Sequence, residues 1–332
     1  MVSRDRKLDA MKMFLIVLMV FGHIPLLEGL VPIGQPQGYD ALTLHAVHGI
    51  YAFHMPLFVF LSGLFSRKKS FSEQWNSSKK LLRLFVVFQI VDLAFSHIFV
   101  PHTYSLREIV SPCFAMWYLL CLFYWRMMLS AIPSSCKPKW VMCISVAACL
   151  AIGFVPVGNE FGLHRFFSFM PYFLLGHYYG YKMLQFIDNK VVSLPPPPCA
   201  KTWKLSLCLA FMVVMTVVSF NPHWLDVIIL PYSSNKVFVL RIAYLGYSMF
   251  LSVAMLAMFG FKRNWENNIL AKVGGDTLFY YLMHPYILFV FVQAGMLFND
   301  VISFIEAVCI TSVTIITLYL LGKIKFLHSI LK

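Results

Sequence analysis

The chain has 332 residues, of which 60% are hydrophobic and only 12% are charged, and its formal net charge is +13. A water-soluble domain needs a more polar surface than this composition supplies, so we expect most of the chain to contact lipid. The basic excess suits either a nucleic-acid-binding protein or a membrane protein with basic cytoplasmic loops, and the positions of the charges separate these two classes.

Apolar segments long enough to cross a bilayer recur along the whole chain, with no long polar segment between them. The predicted spans are residues 11–30, 48–66, 81–100, 112–131, 140–157, 166–183, 204–221, 238–260, 273–294 and 302–322. With the N-terminus in the cytoplasm, only four of the 27 basic residues fall on the outer side, namely Arg107, Arg165, Lys236 and Arg241. This asymmetry follows the positive-inside rule and does not suit a nucleic-acid partner. The sequence therefore predicts one all-α integral membrane domain over residues 1–332, with about ten transmembrane helices and both termini cytoplasmic.

Other local patterns narrow the class of membrane protein. The run from Pro195 to Pro198 cannot be helical and predicts a stiff connector between the first six spans and the last four. We find no inverted pair of broken helices, a sign of many transporters, which weighs against transport. The histidines lack carboxylate or thiol companions at metal-ligand spacing, so no metal site is predicted.

The first predicted helix carries a basic residue and a histidine on one face. His23 lies 11 residues after Lys12, which corresponds to a rise of ~16 Å and an offset of roughly 20° around the helix. Titratable side chains at membrane depth are costly, so His23 is a functional candidate. Asp9 is predicted either to pair with Lys12 or to cap this helix.

Two more histidines are predicted at a similar depth. His54 lies 13 residues before Arg67, and His284 lies 12 residues after Lys272, which corresponds to depths of ~20 Å and ~18 Å from the inner charges. Three histidines from three helices favour a shared polar cavity. For His284 an alternative stays open, because Pro285 frees a backbone carbonyl that the imidazole could satisfy.

Some basic residues allow two interpretations each. Arg165, at the outer start of the sixth span, either snorkels to lipid headgroups or faces an outer cavity and contacts an oxygen-rich substrate. The cluster from Arg67 to Lys69 is either an ordinary topology signal or a binding site for phosphates.

Several motifs follow one another in a fixed order. They are residues 8–12 (LDAMK) followed by His23, residues 51–63 (YAFHMPLFVFLSG), 117–119 (WYL), 169–176 (FMPYFLLG), and 274–278 (GGDTL) leading to 281–285 (YLMHP). Together they resemble the acyltransferase-3 family of membrane acyltransferases, and most closely its branch of fucose acetylases and polysaccharide O-acetyltransferases. The chain departs from the family pattern at Met13, where a small residue is usual, and at Thr277, where Ser is frequent.

The resemblance implies transfer of an acyl group, usually acetyl from cytoplasmic acetyl-CoA, to a hydroxyl of a surface polysaccharide or its lipid-linked precursor at a bacterial cytoplasmic membrane. A neutral imidazole can take the proton from a sugar hydroxyl, so His23 is the predicted general base. The predicted site residues are His23, His54 and His284 for catalysis, Lys12, Arg67 and Lys68 for acetyl-CoA, and Arg165, Ser62 and Trp117 for the acceptor.

Two rival functions stay open at this stage. A transporter or flippase could move a glycan or lipid through the same cavity, with histidines relaying protons and no need for CoA. Alternatively, the enzyme could use another donor, such as succinyl-CoA, or another acceptor, such as peptidoglycan, a lipid or a small metabolite.

Overall fold

A computed structural model describes residues 5–25, 38–99, 104–192, 199–219, 227, 230–260, 265, 268–295 and 301–324. Helices account for 82% of it and strands for 2%, which confirms the predicted all-α class. The helices are α1 (Arg6–His23), α2 (Ala41–Tyr51), α3 (His54–Phe65), α4 (Phe71–Phe99), α5 (Leu106–Val110), α6 (Trp117–Ala131), α7 (Pro138–Ala151), α8 (Leu163–Val192), α9 (Cys199–Ser219), α10 (Asn235–Gly260), α11 (Ile269–Val273), α12 (Thr277–Gly295) and α13 (Phe304–Leu321). The predicted connector from Pro195 to Pro198 lies outside the described residues.

The apolar helices give the bundle its membrane character. Within the described ranges, three helical stretches are by length and composition apolar enough to cross a bilayer, namely Ala41–Phe65, which comprises α2 and α3, Asn235–Gly260 and Phe304–Leu321. Shorter apolar helices cover Pro138–Phe154, Thr202–Met215 and Thr277–Phe291. The number of ten spans and the cytoplasmic position of the termini stay predictions.

Helix α1 ends at His23 rather than continuing to residue 30 as predicted. Pro25 explains this end, because proline has no N–H to donate to the carbonyl four residues earlier and so cannot continue the hydrogen-bond ladder. The carbonyls left free are used by tyrosines: the Tyr51 hydroxyl donates to the Gly22 carbonyl over 3.1 Å, and the Tyr39 hydroxyl donates to the Ile24 carbonyl over 3.3 Å. His23 therefore occupies the C-terminal end of a helix.

The second predicted span is interrupted as well. Ala52 and Phe53 separate α2 from α3, and His54 is the first residue of α3. Pro56 explains the break, since it has no N–H to donate to the carbonyl four residues earlier, that of Ala52. Two of the three predicted histidines thus stand at helix ends created by prolines.

One end of the bundle gathers basic side chains and is called here the N-terminal end. Lys12 lies over the Phe65 ring, with 5.1 Å from its Nζ to the ring centroid. Lys7 forms a 2.6 Å ion pair with Asp188 at the far part of α8. The start of α1 therefore lies close to the C-terminal ends of α3 and α8.

At the opposite end of the bundle, Asp40 and a short sheet connect the segment before α2 with the segment before α13. Strand β1 (Gly38–Tyr39) pairs in parallel with β2 (Val301–Ile302). Asp40 caps α2 by accepting from the Thr43 N–H over 2.7 Å, and it accepts from the Phe304 N–H over 2.9 Å. Hydrogen bonds from Thr43 and Phe304 hold the pKa of the Asp40 carboxyl below its ordinary value. This carboxylate thus ties the start of α2 to the start of α13.

Helices α3 and α8 cross at glycine contacts. A Cβ on Gly63 would overlap the carbonyl oxygen of Phe173, and a Cβ on Gly176 would overlap the carbonyl oxygen of Phe60. Backbones approach this closely only where side chains are absent, which is a common way of packing membrane helices. These glycines end two of the sequence motifs, so the motifs meet in space and fix α3, the carrier of His54, against α8.

Candidate functional site

A cavity of about 300 Å³ lies between α1, α3, α6 and α8. Its lining combines aliphatic side chains with aromatic, polar and charged groups. It comprises Met19, His23, Tyr51, His54, Met55, Pro112, Phe114, Ala115, Trp117, Asn159, Arg165, Phe169, Tyr244 and Tyr281. This volume is at the lower limit of ordinary small-molecule sites, and the mixture of apolar walls with a few convergent polar groups is typical of them.

His23 and His284 form a direct hydrogen bond in the interior of the bundle. His23 Nδ1 lies 2.9 Å from His284 Nε2, and the two residues are 8% and 0% exposed. The pair joins the end of α1 to the middle of α12, although 261 positions separate the two residues in the sequence. The predicted neighbourhood of these two histidines is therefore present.

The backbone of α12 determines which ring nitrogens carry protons. His284 Nδ1 lies 2.7 Å from the carbonyl oxygen of Tyr281 and 3.2 Å from that of Tyr280. Carbonyls only accept, so His284 carries its proton on Nδ1, and in its neutral form its Nε2 must accept from His23 Nδ1–H. The lone pair of His23 is consequently on Nε2, which has no hydrogen-bond partner among the described residues, and His23 lines the cavity.

The alternative interpretation of His284 holds at the same time. Pro285 cannot donate to the Tyr281 carbonyl, and the His284 imidazole supplies the missing donor. Satisfying this carbonyl and orienting His23 are thus two effects of a single tautomer.

The position of His23 at the end of α1 also favours a transient positive charge on its ring. The C-terminal end of a helix carries a partial negative charge, worth typically 0.3–1 kcal/mol to a cation there and up to ~2 kcal/mol in partly buried geometries. A ring that accepts a proton at this position is stabilised both by the helix end and by the hydrogen bond to His284.

His54 contributes a second acceptor to the same cavity. Its Nδ1 donates to the Ile50 carbonyl over 2.8 Å, bridging the break between α2 and α3. In the neutral ring Nε2 is then an acceptor, and it is buried without a hydrogen-bond partner among the described residues. A buried acceptor in a cavity wall is suited to a donor on a bound molecule, such as a hydroxyl.

Phe114 covers the histidine pair from the segment before α6. Its ring centroid lies 4.7 Å from that of His23, and its φ of 42° is in the left-handed region, which is unusual for a bulky residue. The segment is held by Gln89 of α4, which accepts from the Cys113 N–H over 2.8 Å and donates to the Ser111 carbonyl over 2.7 Å. Backbone strain of this kind is frequent beside functional groups, and here it places an apolar ring against the imidazole.

Arg165 and Trp117 form the other side of the cavity. The guanidinium carbon lies 5.1 Å from the centroid of the Trp117 indole, and Trp117 is stacked on Phe169 with centroids 5.2 Å apart. Of the two interpretations of Arg165, the structure matches its placement in a cavity, and its position on the outer side stays a prediction. An aromatic face beside a guanidinium fork is suited to an oxygen-rich ring.

Two predicted site residues lie elsewhere. Ser62 donates to the Phe58 carbonyl over 2.8 Å and is 2.6 Å from the Tyr118 hydroxyl, so it connects α3 with α6 and is not in the lining of the cavity. Lys68 donates to the Ile132 carbonyl and to Ser134, at the end of α6. Both contacts have a packing role in this structure.

A smaller cavity of about 160 Å³ lies at the N-terminal end of the bundle. Its lining combines three cationic side chains with polar groups and comprises Phe65, Ser66, Arg67, Lys69, Gln74, Ser77 and Arg126. Lys12 adjoins it through Phe65 and is paired with Asp9 over 2.8 Å, which is the first of the two predicted roles of Asp9. Asp5, rather than Asp9, caps α1 by accepting from the N–H groups of Lys7 and Leu8.

Sequence reasoning missed several groups at both cavities. At the histidine cavity these are Tyr51, Phe114, Asn159, Tyr244 and Tyr281, and at the basic cavity the missed residue is Arg126. Lys69 belongs to the predicted cluster from Arg67 to Lys69, and the structure shows that Arg67 and Lys69 line the cavity, whereas Lys68 does not.

The structure is a helix bundle of membrane character with a buried histidine pair, one member of which, His23, lines an interior cavity with a few convergent polar groups. These features define a membrane protein with a candidate reaction site inside the bundle. The family model described as "Acyltransferase domain" matches residues 5–323. The chain belongs to this family, which indicates membrane acyltransferase activity. Searches of curated proteins and of solved structures gave no match.

Proposed function

We propose that the protein transfers an acetyl group from acetyl-CoA to a hydroxyl of a surface polysaccharide or its lipid-linked precursor at a bacterial cytoplasmic membrane. The observation that carries this proposal is the hydrogen bond between His23 and His284, which leaves a basic ring nitrogen on a cavity of substrate size. Membership of an acyltransferase family supplies the type of reaction.

In the proposed reaction, His23 acts first as a base and then as an acid. The acceptor hydroxyl oxygen forms a bond to the thioester carbonyl carbon as its proton passes to His23 Nε2. The tetrahedral intermediate then expels the CoA thiolate, which receives that proton from His23. His284 keeps the ring oriented throughout and accepts a stronger hydrogen bond when His23 is positively charged.

His54, Arg165 and Trp117 are proposed to hold the acceptor. The free Nε2 of His54 accepts from a sugar hydroxyl, while Arg165 donates to ring oxygens and Trp117 packs against the face of the ring. These groups surround the same cavity as His23, so they can position one hydroxyl close to its Nε2.

Acetyl-CoA is proposed to bind with its phosphates at the basic cavity of the N-terminal end. Arg67, Lys69 and Arg126 line this cavity, and Lys12 stands next to it. The rise of ~16 Å from Lys12 to His23 along α1 is comparable to the reach of an extended pantetheine arm. Lys68 is not included, because its amino group contacts the end of α6.

The path between the two cavities is packed in this structure. Met13, Leu15 and Ile16 of α1 are each at most 1% exposed. Methionine is unbranched and adaptable, so the methionines of α1 can give way more easily than branched side chains. We therefore expect the pantetheine arm to enter by displacing side chains along α1 rather than through a preformed channel.

The proposal is tested by replacing His23 with Ala and measuring acetylation. The protein is reconstituted in vesicles with acetyl-CoA, and glycans of cells with and without the gene are examined by mass spectrometry. We expect a gain of one C₂H₂O unit on the glycan with the wild-type protein and a loss of ~10²–10⁴-fold in rate with His23→Ala. The matched control is His97→Ala, since His97 is exposed and does not line the cavity.

The same experiment separates the enzyme from a transporter. Export of an unmodified glycan that requires the protein and no acetyl-CoA would support transport instead. Normal acetylation by the His23→Ala protein would remove His23 as the base, and a different mass gain would indicate another acyl donor.

A further inference from the structure

A third cavity, which we call the lysine groove, lies at the N-terminal end of the bundle between the start of α12 and the end of α13. Its volume is about 660 Å³, and it shares no lining residue with the histidine cavity or the basic cavity. The groove is lined by Ile269, Lys272, Val273, Asp276, Phe279, Tyr280, Tyr319, Gly322 and Lys323. The proposed acyl transfer makes no use of it.

The charges of the lysine groove favour an anion with one negative charge. Lys272 and Lys323 are exposed, and neither forms an ion pair with a carboxylate in the part of the chain that the structure describes. Asp276 also lines the groove, so two cations and one carboxylate leave one net positive charge. Helix α12 begins at Thr277, next to Asp276, and the first turn of this helix adds a partial positive charge.

The shape of the groove favours a ligand with a hydrocarbon part. Phe279 and Tyr280, each 3% exposed, are buried beneath it, and Lys323 Nζ lies 4.5 Å from the ring centroid of Tyr319. Along α13 the surface continues with apolar side chains that face outward, since Ile316 is 57% exposed and Leu320 is 56% exposed. A free phosphate would use the lysines and leave this apolar surface without a role.

We propose that the lysine groove binds an anionic phospholipid of the phosphatidylglycerol type. The phosphodiester lies between Lys272 and Lys323, a headgroup hydroxyl donates to Asp276, and the acyl chains follow the apolar side of α13. Lysines at the ends of membrane helices are frequent partners of anionic headgroups, and the end of the bundle that carries them here is the one predicted to face the cytoplasm.

The test uses native mass spectrometry of the purified full-length protein in detergent after removal of endogenous lipid. Phosphatidylglycerol and phosphatidylcholine are added separately, and inorganic phosphate and acetyl-CoA are added as competitors. We expect one retained phosphatidylglycerol, bound at least several-fold more tightly than phosphatidylcholine and not displaced by either competitor. Two lysines beside an anionic headgroup correspond to roughly a tenfold to thirtyfold change in affinity, so Lys272→Gln with Lys323→Gln should lose most of this preference.

The matched control is Lys137→Gln with Lys139→Gln, an exposed lysine pair at the start of α7 that lies outside the groove. This control should retain phosphatidylglycerol as the wild type does. Equal retention of both lipids by the wild type, or an unchanged preference in the Lys272 and Lys323 variant, would overturn the proposal. Displacement by inorganic phosphate or by acetyl-CoA would do so too, because it would assign the groove to a soluble phosphate or to the acyl donor. Asp276→Asn provides a second variant, expected to bind phosphatidylglycerol and phosphatidic acid with more equal affinity.

Discussion

Replacement of His284 by Leu tests whether this residue acts through His23. The leucine removes the acceptor for His23 Nδ1–H and the donor to the Tyr281 carbonyl. A neutral hydrogen bond contributes ~1 kcal/mol and one to a charged group ~1.5–3 kcal/mol, so the bond strengthens by ~0.5–2 kcal/mol when His23 takes up the proton. At ~1.36 kcal/mol per factor of ten, His284→Leu should lower kcat by roughly 2–30-fold. The loss should be smaller than that for His23→Ala.

The assay for this prediction is thiol release from acetyl-CoA by protein in vesicles, with the acceptor glycan present and each substrate varied in turn. The KM for acetyl-CoA should stay unchanged, because His284 is remote from Lys12 on the proposed binding path. His284→Gln should recover most of kcat, since its amide can donate to the Tyr281 carbonyl and its oxygen can accept from His23. A normal kcat in His284→Leu would refute the positioning role. Equal inactivity of the Leu and Gln variants, both well folded, would point instead to direct contact with substrate.

Three further predictions concern the acceptor, the helix packing and the end of the bundle that carries Asp40. Arg165→Gln should raise the KM for the glycan several-fold and leave that for acetyl-CoA unchanged, as steady-state kinetics would show; a shift in both would contradict its place on the acceptor side. Gly176→Ala should abolish recovery of monodisperse protein in size-exclusion chromatography, because its Cβ overlaps the Phe60 carbonyl, whereas Gly246→Ala, with open space around its Cβ, should behave as wild type. The pKa of Asp40 is lowered from 3.8 in the folded protein, so its contribution to stability is present above that value and is lost as the pH falls through the lowered pKa. Thermal unfolding should therefore separate wild type from Asp40→Asn at neutral pH and bring the two together in acid; a constant difference would contradict this linkage.

The sequence allowed the helices to be predicted because hydropathy and helical periodicity are local properties. Every predicted apolar segment overlaps a helix, and Lys12 and His23 do share the single helix α1. The ends of helices were less well predicted, since they depend on single prolines: Pro25 ends α1 seven residues before the predicted boundary at residue 30.

The contacts of the candidate site depend on how distant helices pack, which a single sequence does not specify. The hydrogen bond between His23 and His284 was expected only as a common depth, and Phe114 gave no signal because its φ of 42° results from the tertiary structure. Ser62 was assigned from its position in a motif and Lys68 from its position in a basic cluster, but their side chains contact Tyr118 and the end of α6.

A sequence signal for the histidines does exist, and its physical basis is the proline that follows each of them. Pro25, Pro56 and Pro285 stand two, two and one residues after His23, His54 and His284. None of these prolines can donate to the carbonyl four residues earlier, and an unpaired carbonyl is costly in an apolar interior. For Pro285 this is the Tyr281 carbonyl, to which the imidazole of His284 donates its Nδ1–H. The imidazole of His54 donates its Nδ1–H to the Ile50 carbonyl, across the break between α2 and α3 that precedes Pro56. A ring that is held by Nδ1 must leave Nε2 as an acceptor, so these backbone contacts determine the two tautomers. His23 Nδ1–H donates to the Nε2 of His284. The remaining acceptor of the pair is therefore Nε2 of His23, and His23 lines the cavity. Packing alone would place neutral histidines anywhere, whereas this coupling of proline to imidazole produces a base of defined orientation without a buried carboxylate partner.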